Sequence, residues 1–162
     1  MNRMKLSIGG VLVCLVFFSM NLAIDIRGAF YAAFSSENVE KIDAALNVVS
    51  NVDESLAQAY RGALLMRKAD LIKKGPGEKL KIFREGHEQL ENQINAQPNN
   101  VELRFIRLCI QENAPKIVRY NGQIEEDKAM VIEKFSTLPS EVREFIADYA
   151  KTSEVLSPDE LK

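Results

Sequence analysis

The chemically versatile side chains of this chain are few, and their spacing limits what they can do. His87 is the only histidine among 162 residues. His87-Glu88-x-x-Glu91 matches the opening of a zinc-protease helix, but Glu91 stands where the second histidine must be, four residues on. One histidine and one downstream cysteine, Cys109, would need several carboxylates to complete a three-ligand zinc site, so no metal is expected. No Cys/His or Ser/His pair, no phosphate-cradling glycine loop and no nucleophile elbow occurs. The expectation is therefore no catalytic set, no cofactor and no enzyme. His87 falls within the apolar series Leu80, Phe83, Leu90 and Ile94, which reads as a packed, hydrogen-bonded core histidine.

A second set of polar residues lies in and beyond the stretch Ile94–Gln111: Glu102, Arg104, Arg107 and Gln111, with Asp127 further on. Glu102 falls in the middle of an apolar arc and Asp127 borders another, while Arg104, Arg107 and Gln111 share the remaining sector of their helix; buried charges need partners. One reading has Arg104 or Arg107 reaching Asp127 across a helical hairpin. The alternative is a small-ligand-binding or enzymatic protein, with a concave pocket where Arg104, Arg107 and Gln111, joined by Tyr60, Tyr120 and Asp127, receive a carboxylate or a peptide end. Glu102 reads as the third residue of a capping box that starts at Asn99. Glu125-Glu126-Asp127 reads as a solvated first helical turn, where the helix dipole favours acids.

Charge adds one more group. Lys73, Lys74, Lys79, Lys81 and Arg84 cluster around Gly75-Pro76-Gly77, with Glu78 as the only acid among them. Such a loop is either simply solvated or touches anionic lipid or a phosphorylated ligand. Phe83 is the only aromatic interleaved there, and the net charge is −2. Neither feature suits nucleic acid, and no nucleic-acid partner is expected.

The elements that must position these residues are helices throughout. Apolar residues recur at helical spacing in Ile26–Phe34, Val39–Val49, Ser55–Ile72, Glu78–Asn95, Asn100–Gln111, Gln123–Phe135 and Val142–Tyr149. The third shows two apolar faces and should have neighbours on both sides. Gly86, inside the fourth, is tolerated best where another helix comes close. The fifth is apolar over more than half its circumference and should be the most buried. Short connections favour antiparallel neighbours, so residues 24–50, 55–96 and 100–136 pair as three hairpins, with the seventh helix as a cap. Residues 157–162 are expected to form a frayed turn.

The first residues differ in kind. Arg3 and Lys5 precede an uncharged run from Leu6 to Leu22. Residues 1–23 thus read as a signal peptide or a retained signal anchor, with membrane contact through residues 6–22. Lipidation of Cys14 is disfavoured by its flank, Val13, and by its place within the apolar run. Residues 24–156 form the helical domain, and the expected location is the periplasm or cell envelope.

Ala59-Tyr60-x-Gly62-Ala63, Gly86 and Ile94-x-Ala96-x-Pro98-x-Asn100 resemble a degenerate tetratricopeptide repeat. Helices three and four are longer than a 34-residue repeat accommodates. Over residues 57–135, Lys68-Ala69, Lys79-Leu80-x-x-Phe83-x-x-Gly86, Glu102-x-Arg104-Phe105-x-Arg107-x-x-Ile110-Gln111-x-Asn113-x-Pro115, Tyr120 and Asp127-Lys128 resemble an uncharacterised family of small exported helical proteins of Gram-negative bacteria. The resemblances imply an all-α fold: antiparallel hairpins in a short, right-handed, tetratricopeptide-like array with a C-terminal capping helix. The expected function is a non-catalytic module that holds a protein or peptide partner.

Overall fold

The computed structural model describes residues 26–52 and 54–162. The expected signal segment at residues 1–23, Cys14 and the membrane contact at residues 6–22 lie outside the described residues. Within them the fold is all-helical: α1 (26–34), α2 (Val39–Ser50), α3 (Ser55–Leu71), α4 (Pro76–Ala96), α5 (Val101–Asn113), α6 (Ile124–Lys134) and α7 (Ser140–Tyr149). No helix among these residues is long and apolar enough to cross a membrane.

Local sequence explains where the helices begin. Asn38 caps α2 by accepting the Lys41 backbone N–H at 2.9 Å. Pro76 stands in the first turn of α4, where its missing N–H costs nothing. The helix breaker expected to end α3 thus also starts α4. At α5 the cap is Asn100, whose side chain accepts the Leu103 N–H at 3.3 Å. The capping box expected from Asn99 to Glu102 does not form. Two adjacent asparagines offer the same chemistry one residue apart, and the later one takes the cap.

α3 and α4 form an antiparallel pair. Ser55 with Gln97, Gln58 with Gln93 and Arg61 with Gln89 make successive side-chain hydrogen bonds down their length. The two axes meet at Gly62 and Gly86. A Cβ on Gly62 would lie 2.6 Å from the Gly86 carbonyl oxygen and 2.8 Å from the Leu90 nitrogen. Neither glycine can carry a side chain without parting the helices. α3 also packs on α2 and α5, as its two apolar faces require, with Ala57, Ala59, Ala63 and Leu64 buried.

α5 runs through the centre, and all ten residues from Glu102 to Gln111 are buried. It pairs with α6 and also contacts α3 and α4. α1 packs on both α3 and α7. Phe30 stacks on Tyr60 of α3 at 4.0 Å between ring centroids, and Tyr31 stacks on Phe145 of α7 at 4.1 Å. The first described helix and the last one therefore touch. The C-terminus is anchored rather than frayed: Ser157 and Glu160 form a capping box around a short 3-10 turn (Pro158–Glu160). Glu160 also pairs with Lys128 of α6 at 2.8 Å, and Leu156 is fully buried.

Candidate functional site

α5 presents charged side chains in three directions, and each set is met by a different part of the fold. Toward α6, Arg104 and Arg107 converge on Asp127, which is completely buried. Arg107 donates from Nε to Oδ2 at 2.6 Å and from Nη2 to Oδ1 at 2.7 Å. Arg104 donates from Nη1 to Oδ1 at 3.0 Å and from Nε to the Pro98 carbonyl at 2.9 Å. Asp127 is therefore not part of a solvated first turn. It points inward because two guanidinium groups wait there.

The same cluster reaches α4. Arg107 Nη1 donates to Glu91 Oε2 at 3.0 Å, and the Tyr120 hydroxyl donates to Glu91 Oε1 in a short hydrogen bond. Glu126 lies 3.0 Å from Arg104 at the exposed rim. Burial opposes the charge on Arg107, but its bonds to Asp127 and Glu91 outweigh that, so the guanidinium is held more firmly protonated than usual. Burial raises the Tyr120 hydroxyl, and the adjacent Glu91 carboxylate raises it further.

Toward α1 and α3, Glu102 accepts from Arg27 Nε and Nη2, both at 3.1 Å, and from the Tyr31 hydroxyl at 3.3 Å. The Tyr60 hydroxyl makes a short bond to the same Oε1 atom. Charge-assisted bonds of this kind are how a carboxylate that is 6% exposed stays satisfied. Burial and then the Glu102 charge push both tyrosine hydroxyls well above their ordinary range.

Toward the C-terminus, Glu112 accepts the Tyr149 hydroxyl at 2.5 Å, the Ser153 hydroxyl at 2.7 Å and the backbone N–H of Glu154 at 2.6 Å. Cys109, one turn earlier, is buried, and burial pushes its thiol pKa up, as expected of a core cysteine.

The structure thus brings Arg104, Arg107, Asp127 and Tyr120 together, with Glu91 as the link. Tyr60 belongs to the separate Glu102 cluster. Gln111 sits further along α5 and donates to Gln123 at 2.6 Å. Arg104, Arg107 and Gln111 are all buried, and the Gln111 Oε1 atom has no hydrogen-bond partner among the described residues. His87 packs its ring on Tyr120 at 4.7 Å between centroids and on Phe83 at 6.5 Å. Ring contacts, not the expected hydrogen bond, hold it. Among the described residues no group of three or more His, Cys, Asp or Glu side chains is arranged to hold a metal.

Four contributors escaped the sequence reading: Arg27, Tyr31, Glu91 and Glu112. Glu91 did carry a signal, since it lies four residues after His87 on the apolar face of α4. Arg27 and Tyr31 carried none, being 75 and 71 residues from Glu102.

An open groove of about 560 Å³ lies elsewhere, at the C-terminal end of α2 against α3 and α4. Its walls are Val49, Val52, Gln58, Arg61 and Gln89, with Ser50 and Asn51 at one end. Arg61 is held there by Gln89 at 3.0 Å and Glu85 at 3.1 Å. Compared with protein-family models, curated proteins and solved structures, the chain finds no match.

Proposed function

We propose that this protein is a non-catalytic helical module of the cell envelope that binds a protein or peptide segment. The observation that carries the reading is where the polar groups are spent. The α5 charges that could have done chemistry each bond to a different neighbour: Arg104 and Arg107 to Asp127, Glu102 to Arg27, Tyr31 and Tyr60, and Glu112 to the segment after α7. The open concavity is lined by Val49 and Val52 together with Gln58, Gln89 and Arg61, whose side chains also bond Gln93, Glu85 and one another. Amides and a guanidinium beside apolar side chains suit the backbone and acidic side chains of a peptide segment.

A tetratricopeptide-like, right-handed array of antiparallel hairpins remains part of this proposal, with α3 and α4 as its central hairpin. Their long antiparallel pairing and the Gly62–Gly86 approach support it there. The contact between α1 and α7 favours a closed arrangement for the rest. Export rests on the basic, then uncharged, N-terminal sequence alone.

Crosslinking and affinity capture from the native envelope test the interaction, with Arg61→Glu and Gln89→Ala as groove variants and Lys151→Glu as a surface control. A specific envelope protein should be captured by the wild type and the control and lost by the groove variants. Capture that ignores the groove substitutions contradicts the assignment. Mass spectrometry of the mature N-terminus tests export: an intact Met1 in the membrane fraction would replace secretion with tethering.

A further inference from the structure

Charge is unevenly distributed over this molecule. Between Lys73 and Arg84 there are five cations and one acid, a local charge of +4 in a chain whose net charge is −2. The loop between α5 and α6 adds Lys116 and Arg119 and no acid from Ala114 to Gly122. Lys81, Arg84, Lys116 and Arg119 are all exposed, and none makes an ion pair among the described residues. Most cations elsewhere in the fold are paired, so this set stands apart.

The fold joins the two segments. Tyr120 packs its ring on His87 and Phe83 of α4, with centroids 4.7 and 6.0 Å apart, and bonds to Glu91 one turn on. The loop is therefore laid along the 83–87–91 line of α4. At 100° per residue, Leu80 and Arg84 extend that line toward the start of the helix. Leu80 is 38% exposed, and Ile117, three residues before Tyr120, is 89% exposed. A large aliphatic side chain so fully in water is unusual when its neighbour, Val118, packs on the core.

We infer that Leu80, Lys81, Arg84, Lys116, Ile117 and Arg119 form a peripheral docking surface for an anionic lipid bilayer. The unpaired cations meet the headgroups, and Ile117 and Leu80 enter the interface. Charge complementarity selects the bilayer over a neutral partner, since cations close to an anionic leaflet each add to binding within a Debye length. The two exposed aliphatics select it over a soluble polyanion, which has no apolar layer to receive them. This surface lies apart from the groove of Val49, Arg61 and Gln89, so either assignment can fail without the other.

The chain contains no tryptophan. Ile117→Trp in the full chain is therefore a unique fluorescent reporter, and Val48→Trp, at an exposed site on α2, is its control. Vesicles of phosphatidylglycerol mixed into phosphatidylcholine are compared with phosphatidylcholine alone, so that charge-independent insertion by the N-terminal apolar run cancels. The expected result is a blue shift and quenching by brominated lipid for Ile117→Trp on the anionic vesicles only, with Val48→Trp unmoved. In co-sedimentation, Lys81→Gln with Arg84→Gln should weaken binding to anionic vesicles by about 25-fold, about fivefold per cation. The inference is overturned if Ile117→Trp responds equally to both vesicles, if Val48→Trp responds as strongly, or if the double variant binds as the wild type does. Anionic-vesicle binding unchanged by Leu80→Asp with Ile117→Asp would also overturn it, leaving a soluble polyanion as the ligand.

Discussion

Arg107 grips both carboxylate oxygens of Asp127, through Nε at 2.6 Å and Nη2 at 2.7 Å, across the α5–α6 hairpin. The geometry is the planar fork that a guanidinium offers and an ammonium cannot. Arg104 shares one of the same oxygens. Three charges thus meet at a buried carboxylate, with Glu91 as a further partner of Arg107 and the exposed Glu126 as a further partner of Arg104.

The Asp127→Ala change should therefore destabilise the fold by about 3 kcal/mol, because it leaves Arg107 with Glu91 alone and Arg104 with the exposed Glu126 alone among carboxylates. Arg107→Lys should recover only part of the loss caused by Arg107→Ala. In a double-mutant cycle measured by urea unfolding, Arg107→Ala and Asp127→Ala should be strongly non-additive. Additive losses would mean that the two side chains do not depend on each other.

All four tyrosines of the chain donate their hydroxyls to a glutamate: Tyr31 and Tyr60 to Glu102, Tyr120 to Glu91, and Tyr149 to Glu112. Burial first, with the neighbouring negative charge adding, raises every one of these hydroxyl pKa values; for Tyr149 the buried Cys109 thiol adds as well. A raised phenol favours the protonated, folded form. Stability is then intact below the unfolded value of about 10 and falls as pH rises beyond it, by up to ~1.4 kcal/mol per pH unit for each tyrosine. Tyrosinate absorbance, free of tryptophan interference, should appear together with loss of helix on alkaline titration. Tyrosinate forming well before helix is lost would show that the hydroxyls are open to solvent.

The approach of α3 to α4 at Gly62 and Gly86 meets backbone, not flexible side-chain ends, on the Gly62 side. Gly62→Ala should cost on the order of 3 kcal/mol despite alanine's better helix propensity. Gly77→Ala, where a Cβ meets nothing within 4 Å, should be close to neutral. Thermal melts of both variants test the contrast, and a stabilised Gly62→Ala protein would show that the helices can part freely.

Glu112 ties down the segment after α7 through Tyr149, Ser153 and the Glu154 N–H. Glu112→Ala should expose residues 150–157 to proteolysis while the α3–α4 pair stays protected. Limited digestion read by mass spectrometry would show cleavage in that window. An unchanged digestion pattern would mean that Leu156 and the capping box suffice to hold the tail.

How far these contacts could be read in advance depended on distance along the chain. The convergence of Arg104 and Arg107 on Asp127 was legible, since the residues share one hairpin and stand out from apolar surroundings. Gly86 was legible as a close approach because glycine inside an amphipathic helix has few other uses. The burial of α5 followed from apolar residues around most of its circumference. Glu102 was misread because a local capping motif was available and its true ligands were not local. Arg27 and Tyr31 look like ordinary helical residues until the fold places α1 against α5. Helical period shows which face is buried, not which distant side chain meets it.

One consequence follows from the stacking of Tyr31 on Phe145. Helical-repeat proteins lengthen by duplicating a hairpin, since each unit touches only its neighbours. Here α1 and α7, the first and last helices among the described residues, meet, and α1 supplies the cation that neutralises Glu102 at the centre. An extra hairpin stacked between α1 and α7 would have to leave that contact in place. Between α1 and α7, loops and surface are freer to vary than the order in which the helices pack.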